Sequence, residues 1–314
     1  MTRNWLMAAL IGGGLIGAVA WRHRKNRRDL VWSVGDSLSE VIKAHADYLL
    51  VKHPTYHDKF QKLRHADPEA AMGEAVVFSV LKTYFRAEPE PADEPGTGGV
   101  DFICRKDKDD AFVVEVTSLK PDAVAERSGI PATADEGGGA FQMTTHQLFS
   151  KICAKADQLA EYPCPRVLVI TSTHFASSFL LGAQGAEYLL TSEPRITFPA
   201  GIPGAPVRMI TNLRSSAFFA PGADGEIVPR RQSVSAVLLI GLFGDQSNVV
   251  GLLHPAPAHR LKIERFREVP FLRLANWPIV AGVINTEWVV SSPAAKMFPH
   301  TAIKLSNNDL LKMS

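Results

Sequence analysis

The stretch that most constrains the fold runs from Gly98-Gly-Val-Asp-Phe-Ile-Cys-Arg105 through Lys106-Asp-Lys-Asp-Asp110 to Ala111-Phe-Val-Val-Glu-Val-Thr117. Val100, Phe102 and Cys104 alternate with Asp101 and Ile103, and Phe112, Val114 and Val116 alternate with Val113, Glu115 and Thr117. Period-two alternation on both sides of a charged turn predicts a β-hairpin. With the turn centred on Lys108, Asp101 faces Glu115, and directly opposed side chains sit about 5 Å apart. Two carboxylates at that distance repel each other, and apolar surroundings make each costly to desolvate. A divalent cation would remove the penalty. Such oxygen donors suit Mg²⁺, which takes one or two carboxylates, keeps several waters and binds phosphate oxygens. A solvent-facing strand end and a turn cap would explain the same two acids without a metal.

Charge is unevenly spread along the 314 residues. Residues 65 to 140 hold sixteen Asp and Glu against seven Lys and Arg, whereas residues 22 to 64 hold ten basic against five acidic. An acidic centre between mildly basic flanks suits a metal site within a phosphate-binding surface, although solvated faces give the same statistics. The hydrophobic content of 46% is that of a globular chain. Cys104, Cys153 and Cys164 form no zinc spacing and no disulfide framework.

Trp5 to Trp21, WLMAALIGGGLIGAVAW, is uncharged and bounded by tryptophans. As a helix it spans roughly 25 Å, the short end of a transmembrane length. Arg22-His-Arg-Lys-Asn-Arg-Arg28 follows it, so the positive-inside rule places the rest of the chain in the cytoplasm. The expectation is a single-pass anchor in the inner membrane, residues 1–28, followed by a helical connector over 29–66, a main domain over 67–290 and a tail over 291–314. In the connector, Leu38, Val41, Ile42, His45, Leu49 and Leu50 fall at helical spacing, and His45, His53, His57 and His65 are expected at the surface.

Asp67-Pro68-Glu69 carries a cap, a proline at the first helical position and an acid in the first turn, which predicts a helix to about Phe85 with Glu74 near its middle. Pro-, Gly- and acid-rich loops follow at 88–99 and 121–139. Thr144 to Glu161 is the next predicted helix: Leu148, Phe149, Ile152, Ala156 and Leu159 form one stripe, and Gln147, Lys151, Lys155 and Gln158 form another. That second stripe suits either water or a phosphodiester. RVLVIT at 166–171 reads as a strand buried on both faces, followed by a helix from about Ala176 to Leu190. Ser233–Leu242 and Val249–His254 read as paired strands, with the basic residues Arg260, Lys262, Arg265, Arg267 and Arg273 beyond them. There is no GxSxG, P-loop or dinucleotide fingerprint.

A helix with an internal glutamate, an acidic hairpin of pattern D-x13-E-x-T, a polar-faced helix and a buried strand together resemble the PD-(D/E)XK, or restriction-endonuclease-like, nucleases over roughly residues 67 to 172. The resemblance implies an α/β fold with an αβββαβ core, a mixed sheet flanked by helices, extended here by further C-terminal strands around Asn248. It implies that Asp101 and Glu115 hold Mg²⁺ or Mn²⁺ with the main-chain carbonyl of Val116, and that Glu74 orients or binds a second metal or a water. The chain departs from the motif at Thr117, where the family has a lysine that activates water and stabilises charge. Some branches carry that lysine on the next helix. Lys151 and Lys155 are the candidates here, with Lys120 a third, while Gln158 and Gln147 would contact substrate. The resemblance thus implies a metal-dependent endonuclease acting on DNA in restriction, repair or defence, with DNA, the membrane through residues 5–21 and a second copy in a homodimer as partners. A catalytically inactive DNA-binding module of the same fold, and a membrane-tethered protein-interaction module, are the competing readings.

Overall fold

The computed structural model describes residues 37–85, 89–91, 99–105, 111–120, 122, 146–174, 176–192, 195–197, 208–210, 213, 216–223, 226–243, 246–278, 284–291 and 303–305. The expected anchor at 5–21, the turn around Lys108, most of the loop at 121–139 and the side chain of Gln147 lie outside these residues. No helix among them is long and apolar enough to cross a membrane.

Three helices come first: α1 (Ser37–Lys52), α2 (Pro54–Ala66) and α3 (Pro68–Phe85). Pro54 has no N–H to continue α1, so the chain bends there and α2 starts with proline in its first turn. At α3, Asp67 Oδ1 accepts the N–H of Ala70 at 3.2 Å, the side-chain cap that its sequence predicts. The segment expected as a connector packs against α3. Ala46, Leu49 and Phe60 share a buried cluster with Ala71 and Ala75, where small residues let the helices approach closely.

One nine-stranded sheet organises the rest, in the order β1 (Glu90–Pro91), β2 (Phe102–Arg105), β3 (Ala111–Leu119), β4 (Arg166–Ser172), β9 (Ala236–Phe243), β10 (Gln246–Leu253), β11 (Pro270–Leu274), β12 (Thr286–Val290) and β13 (Ile303–Leu305). It is mixed. The central trio β3, β4 and β9 is parallel, and β2 with β3 and β9 with β10 are antiparallel. Strands β5 to β8 form two small separate hairpins, Arg195–Thr197 with Arg208–Ile210 and Phe219–Pro221 with Ile227–Pro229.

Both faces of the sheet are covered, which is why β4 is buried at every position. Val114, Val167, Val169 and Leu238 pack toward α3 with Val77, Phe78 and Leu81. Val113, Leu168, Ile170 and Leu239 pack toward α4 (His146–Leu159), meeting Leu148, Ile152, Ala156 and Leu159. The helix predicted over 176–190 is broken in two, α5 (Ser177–Leu180) and α6 (Ala183–Thr191), because Gly182 adopts an extended conformation between them.

His45 corrects one expectation. It is fully buried, not at the surface, because α1 lays its apolar stripe on α3 and position 45 belongs to that stripe; His53 and His57 are half-buried and His65 is exposed.

Candidate functional site

The hairpin pairs Phe102 with Val114 and Cys104 with Phe112, so its register carries Asp101 to the place opposite Glu115. The ladder ends there. The N–H of Asp101 donates to the Val114 carbonyl at 3.0 Å, and beyond that point β3 has no strand on this side among the described residues. Asp101 takes the missing strand's role with its side chain: Oδ2 accepts the N–H of Val116 at 2.7 Å. Alternate residues of a strand direct both N–H and C=O to the same neighbour, so the Val116 carbonyl faces the same open edge.

Glu115 points to the other side of the chain, toward α4. Its carboxylate is only 5% exposed, and Oε1 accepts from Lys155 Nζ at 2.6 Å. The same ammonium donates to Gln158 Oε1 at 3.0 Å, while Gln158 Nε2 donates to the Gly99 carbonyl at 3.0 Å. Gln158 therefore ties α4 to the segment that delivers Asp101. Glu115 Oε2 is buried with no partner among the described residues.

The electrostatics follow from this packing. Burial, then the charge of Glu115, then that of Glu74, hold Asp101 well above the usual carboxylate range. Burial also raises Glu115, opposed by the hydrogen bond and charge of Lys155 and by the charge of Lys59 on α2. Two acids that resist ionisation at one edge make a place where added positive charge is favourable.

Among the other expected site residues, Glu74 is half-buried on α3, and Thr117 is buried on β3 two residues after Glu115. Lys151, one turn before Lys155, is felt electrostatically at Asp67. Lys120 is drawn away: its ammonium pairs with Asp67 at 2.8 Å. Asn248 sits across the sheet on β10, where Nδ2 donates to the Leu181 carbonyl at 3.4 Å. Its place is structural support for the α5–α6 junction.

His45, expected at the surface, lies instead against Glu74, and Lys59, which the sequence reading did not single out, acts electrostatically on Glu115. His45 left a signal, a polar side chain within an otherwise apolar stripe; Lys59, one of several basic residues on α2, left none.

The donor set fits a hard divalent cation. It offers two carboxylates with raised proton affinity, Asp101 and Glu115, and one buried carboxylate oxygen, Glu115 Oε2, without a partner among the described residues. No group of three or more His, Cys, Asp or Glu among the described residues is disposed to hold a metal.

Fold and site together define an α/β protein with a mixed, helix-flanked sheet and a carboxylate pair, Asp101 half-buried and Glu115 buried, backed by a helix lysine. Comparison with protein-family models, with curated proteins and with solved structures finds no match for the chain.

Proposed function

We propose that the chain is a metal-dependent deoxyribonuclease related to the PD-(D/E)XK nucleases, tethered to the inner membrane by residues 5–21 with its folded part in the cytoplasm. The observation that carries this reading is the meeting of Asp101, Glu115 and Lys155, with Glu115 Oε2 left unpartnered. The order α3-β1-β2-β3-α4-β4 supports it, because it is the αβββαβ order of that core.

Asp101, Glu115 and the Val116 carbonyl would hold Mg²⁺ or Mn²⁺, which when bound lowers the pKa of a coordinated water and offsets charge on the phosphoryl group. Lys155 opposes the effect of burial on Glu115 and presents a fixed positive charge beside it, the function lost from the motif at Thr117. Gln158 holds Lys155 and the Gly99 segment in register. Hydrolysis adds the water's oxygen to phosphorus, breaks one P–O bond of the diester and delivers a proton to the departing oxygen. Lys59 and Lys151 supply positive charge for the DNA backbone.

The test is cleavage of linear, nicked and single-stranded DNA by the full chain in Mg²⁺, Mn²⁺ or EDTA, beside Asp101→Ala and Lys155→Met. Cutting that requires the metal, Asp101 and Lys155 is the expected result. Metal-independent cutting, or cutting that survives Asp101→Ala, refutes the assignment. Thr117 favours one second reading, a binding module without cleavage; DNA bound by the wild type but never cut in any metal would establish it.

A further inference from the structure

His45 has no role in the reaction described above, yet it is placed with unusual care. Its ring is fully buried on α1 among aromatic neighbours: Phe60 edge-on with centroids 4.8 Å apart, Phe78 at 4.6 Å and Phe102 at 6.0 Å. A leucine or phenylalanine would fill such a cage without the cost of burying two ring nitrogens. One of those nitrogens, Nδ1, has no partner among the described residues. The other, Nε2, lies 3.3 Å from Glu74 Oε1.

Glu74 is the carboxylate that benefits. Its side chain is 22% exposed, and it stands one residue after Gly73, where α3 comes so close to β3 and β4 that a Cβ would lie 2.6 Å from Thr171 Oγ1. The backbone beneath Glu74 is therefore fixed by packing, but an unrestrained glutamate on a helix still samples several rotamers. A hydrogen bond from a ring clamped by three phenylalanines removes that freedom. The direction matters as well, because the charge of Glu74 is among those acting on Asp101.

We infer that His45 is a positioning residue of the site: its Nε2–H donates to Glu74 Oε1 and holds that carboxylate turned toward Asp101 and the cation held there. The inference rests on the metal-dependent reading and deepens it. Helices α1 and α2 are then part of the active site, since α1 supplies His45 and α2 supplies Phe60 behind it. Groups that hydrogen-bond a metal-site carboxylate without touching the metal typically contribute about tenfold or more to metal affinity.

The experiment measures Mn²⁺ binding by electron paramagnetic resonance, together with kcat and KM for Mn²⁺-supported DNA cleavage, on wild type, His45→Phe, His45→Gln, Glu74→Gln and the His45→Phe/Glu74→Gln double variant. Phenylalanine preserves the ring packing and removes the donor, and glutamine places an amide N–H within reach of the same oxygen. The expected result is that His45→Phe weakens Mn²⁺ binding about tenfold and lowers kcat with KM for DNA unchanged. Glu74→Gln does the same, the double variant is no worse than either, and His45→Gln recovers most of the loss. Wild-type Mn²⁺ affinity in His45→Phe, or full multiplication of the two single effects in the double variant, overturns the role of His45 alone. A wild type that binds no Mn²⁺ overturns the metal-dependent reading and this role with it.

Discussion

Asp101→Asn should stabilise the metal-free protein. Burial first, and then the charges of Glu115 and Glu74, raise the Asp101 pKa from 3.8 to about 8, so at pH 7.5 the folded protein holds it largely protonated, at a cost of about 3 kcal/mol after discounting for its partial exposure. Asparagine, which has no proton to take up, removes that cost. Its amide oxygen still accepts the Val116 N–H now held at 2.7 Å, but the bond is no longer charge-assisted, a loss of about 1 kcal/mol. The balance is a gain of about 2 kcal/mol, which at roughly 2 °C per kcal/mol for a chain of this size raises the Tm by about 4 °C.

The assay is thermal unfolding in EDTA at pH 7.5, repeated down to pH 4.5 and in excess Mg²⁺. Because the folded protein holds the Asp101 proton more tightly than the unfolded chain does, wild-type stability falls as pH rises from the ordinary carboxylate range toward the raised value. The advantage of the variant must therefore shrink on acidification. Added Mg²⁺ reverses the order, raising the wild-type Tm and leaving that of the variant where it was. A variant that melts at or below wild type in EDTA at pH 7.5 would show that the carboxylate pair is not strained, and the case for a cation at this edge would lose its physical basis.

Three further outcomes are expected. Lys155→Met should lower kcat by about 10²–10³-fold, roughly the effect of removing one fixed stabilising charge, whereas Lys151→Met should mainly raise KM for DNA; equal kcat losses in steady-state assays would remove the distinction between the two lysines. Gly73→Ala forces a Cβ against the Ser118 and Thr171 hydroxyls, which are bonded to each other at 2.8 Å, and should cost about 1–3 kcal/mol in urea unfolding. His254 donates Nε2–H to the Arg230 carbonyl at 2.7 Å and accepts the Ala256 N–H on Nδ1 at 3.0 Å, and burial lowers its pKa from 6.5 to about 4. Its unfolded form takes up a proton below 6.5 that the native form refuses until about 4, so stability is complete above that range and falls within it; the wild type should lose about 2 kcal/mol more than His254→Asn between pH 7.5 and 5, read from urea midpoints.

The hairpin, α3 and α4 were legible because each is written in local pattern. Strict alternation fixed which residues of the hairpin share a face, the symmetric turn fixed its register, and Asp67-Pro68-Glu69 marked where α3 begins. Long-range placement left no such trace. Nothing local says that β9, more than sixty residues after β4, lies parallel beside it, or that α1 lays His45 on α3. Gly182 broke a helix that periodicity alone had run through, because its extended backbone is set by the packing of α5 and α6 against the sheet.

The lysine is the instructive case. Lys151 and Lys155 are equivalent in sequence, one helical turn apart on the same polar stripe, and no pattern along α4 can rank them. The choice is made by where α4 sits on the sheet. Ile152, Ala156 and Leu159 pack against the face of β3 and β4 that includes Val113 and Leu168, and this seats the following turn of α4 over Glu115. Odd-numbered residues of β3 point to that same face, so a lysine at position 117 and a lysine at position 155 would project into one shared space from opposite walls. Thr117 is buried on that face, and the ammonium of Lys155 stands 2.6 Å from Glu115. In the nuclease reading proposed above, the threonine at 117 and the lysine at 155 are two halves of one arrangement. A Thr117→Lys variant should crowd that space and compete for Glu115, and it should restore cleavage to Lys155→Met. Failure of that rescue, with the double variant folded and still binding Mn²⁺, would mean that the two positions are not interchangeable and that Lys155 serves Glu115 for stability alone.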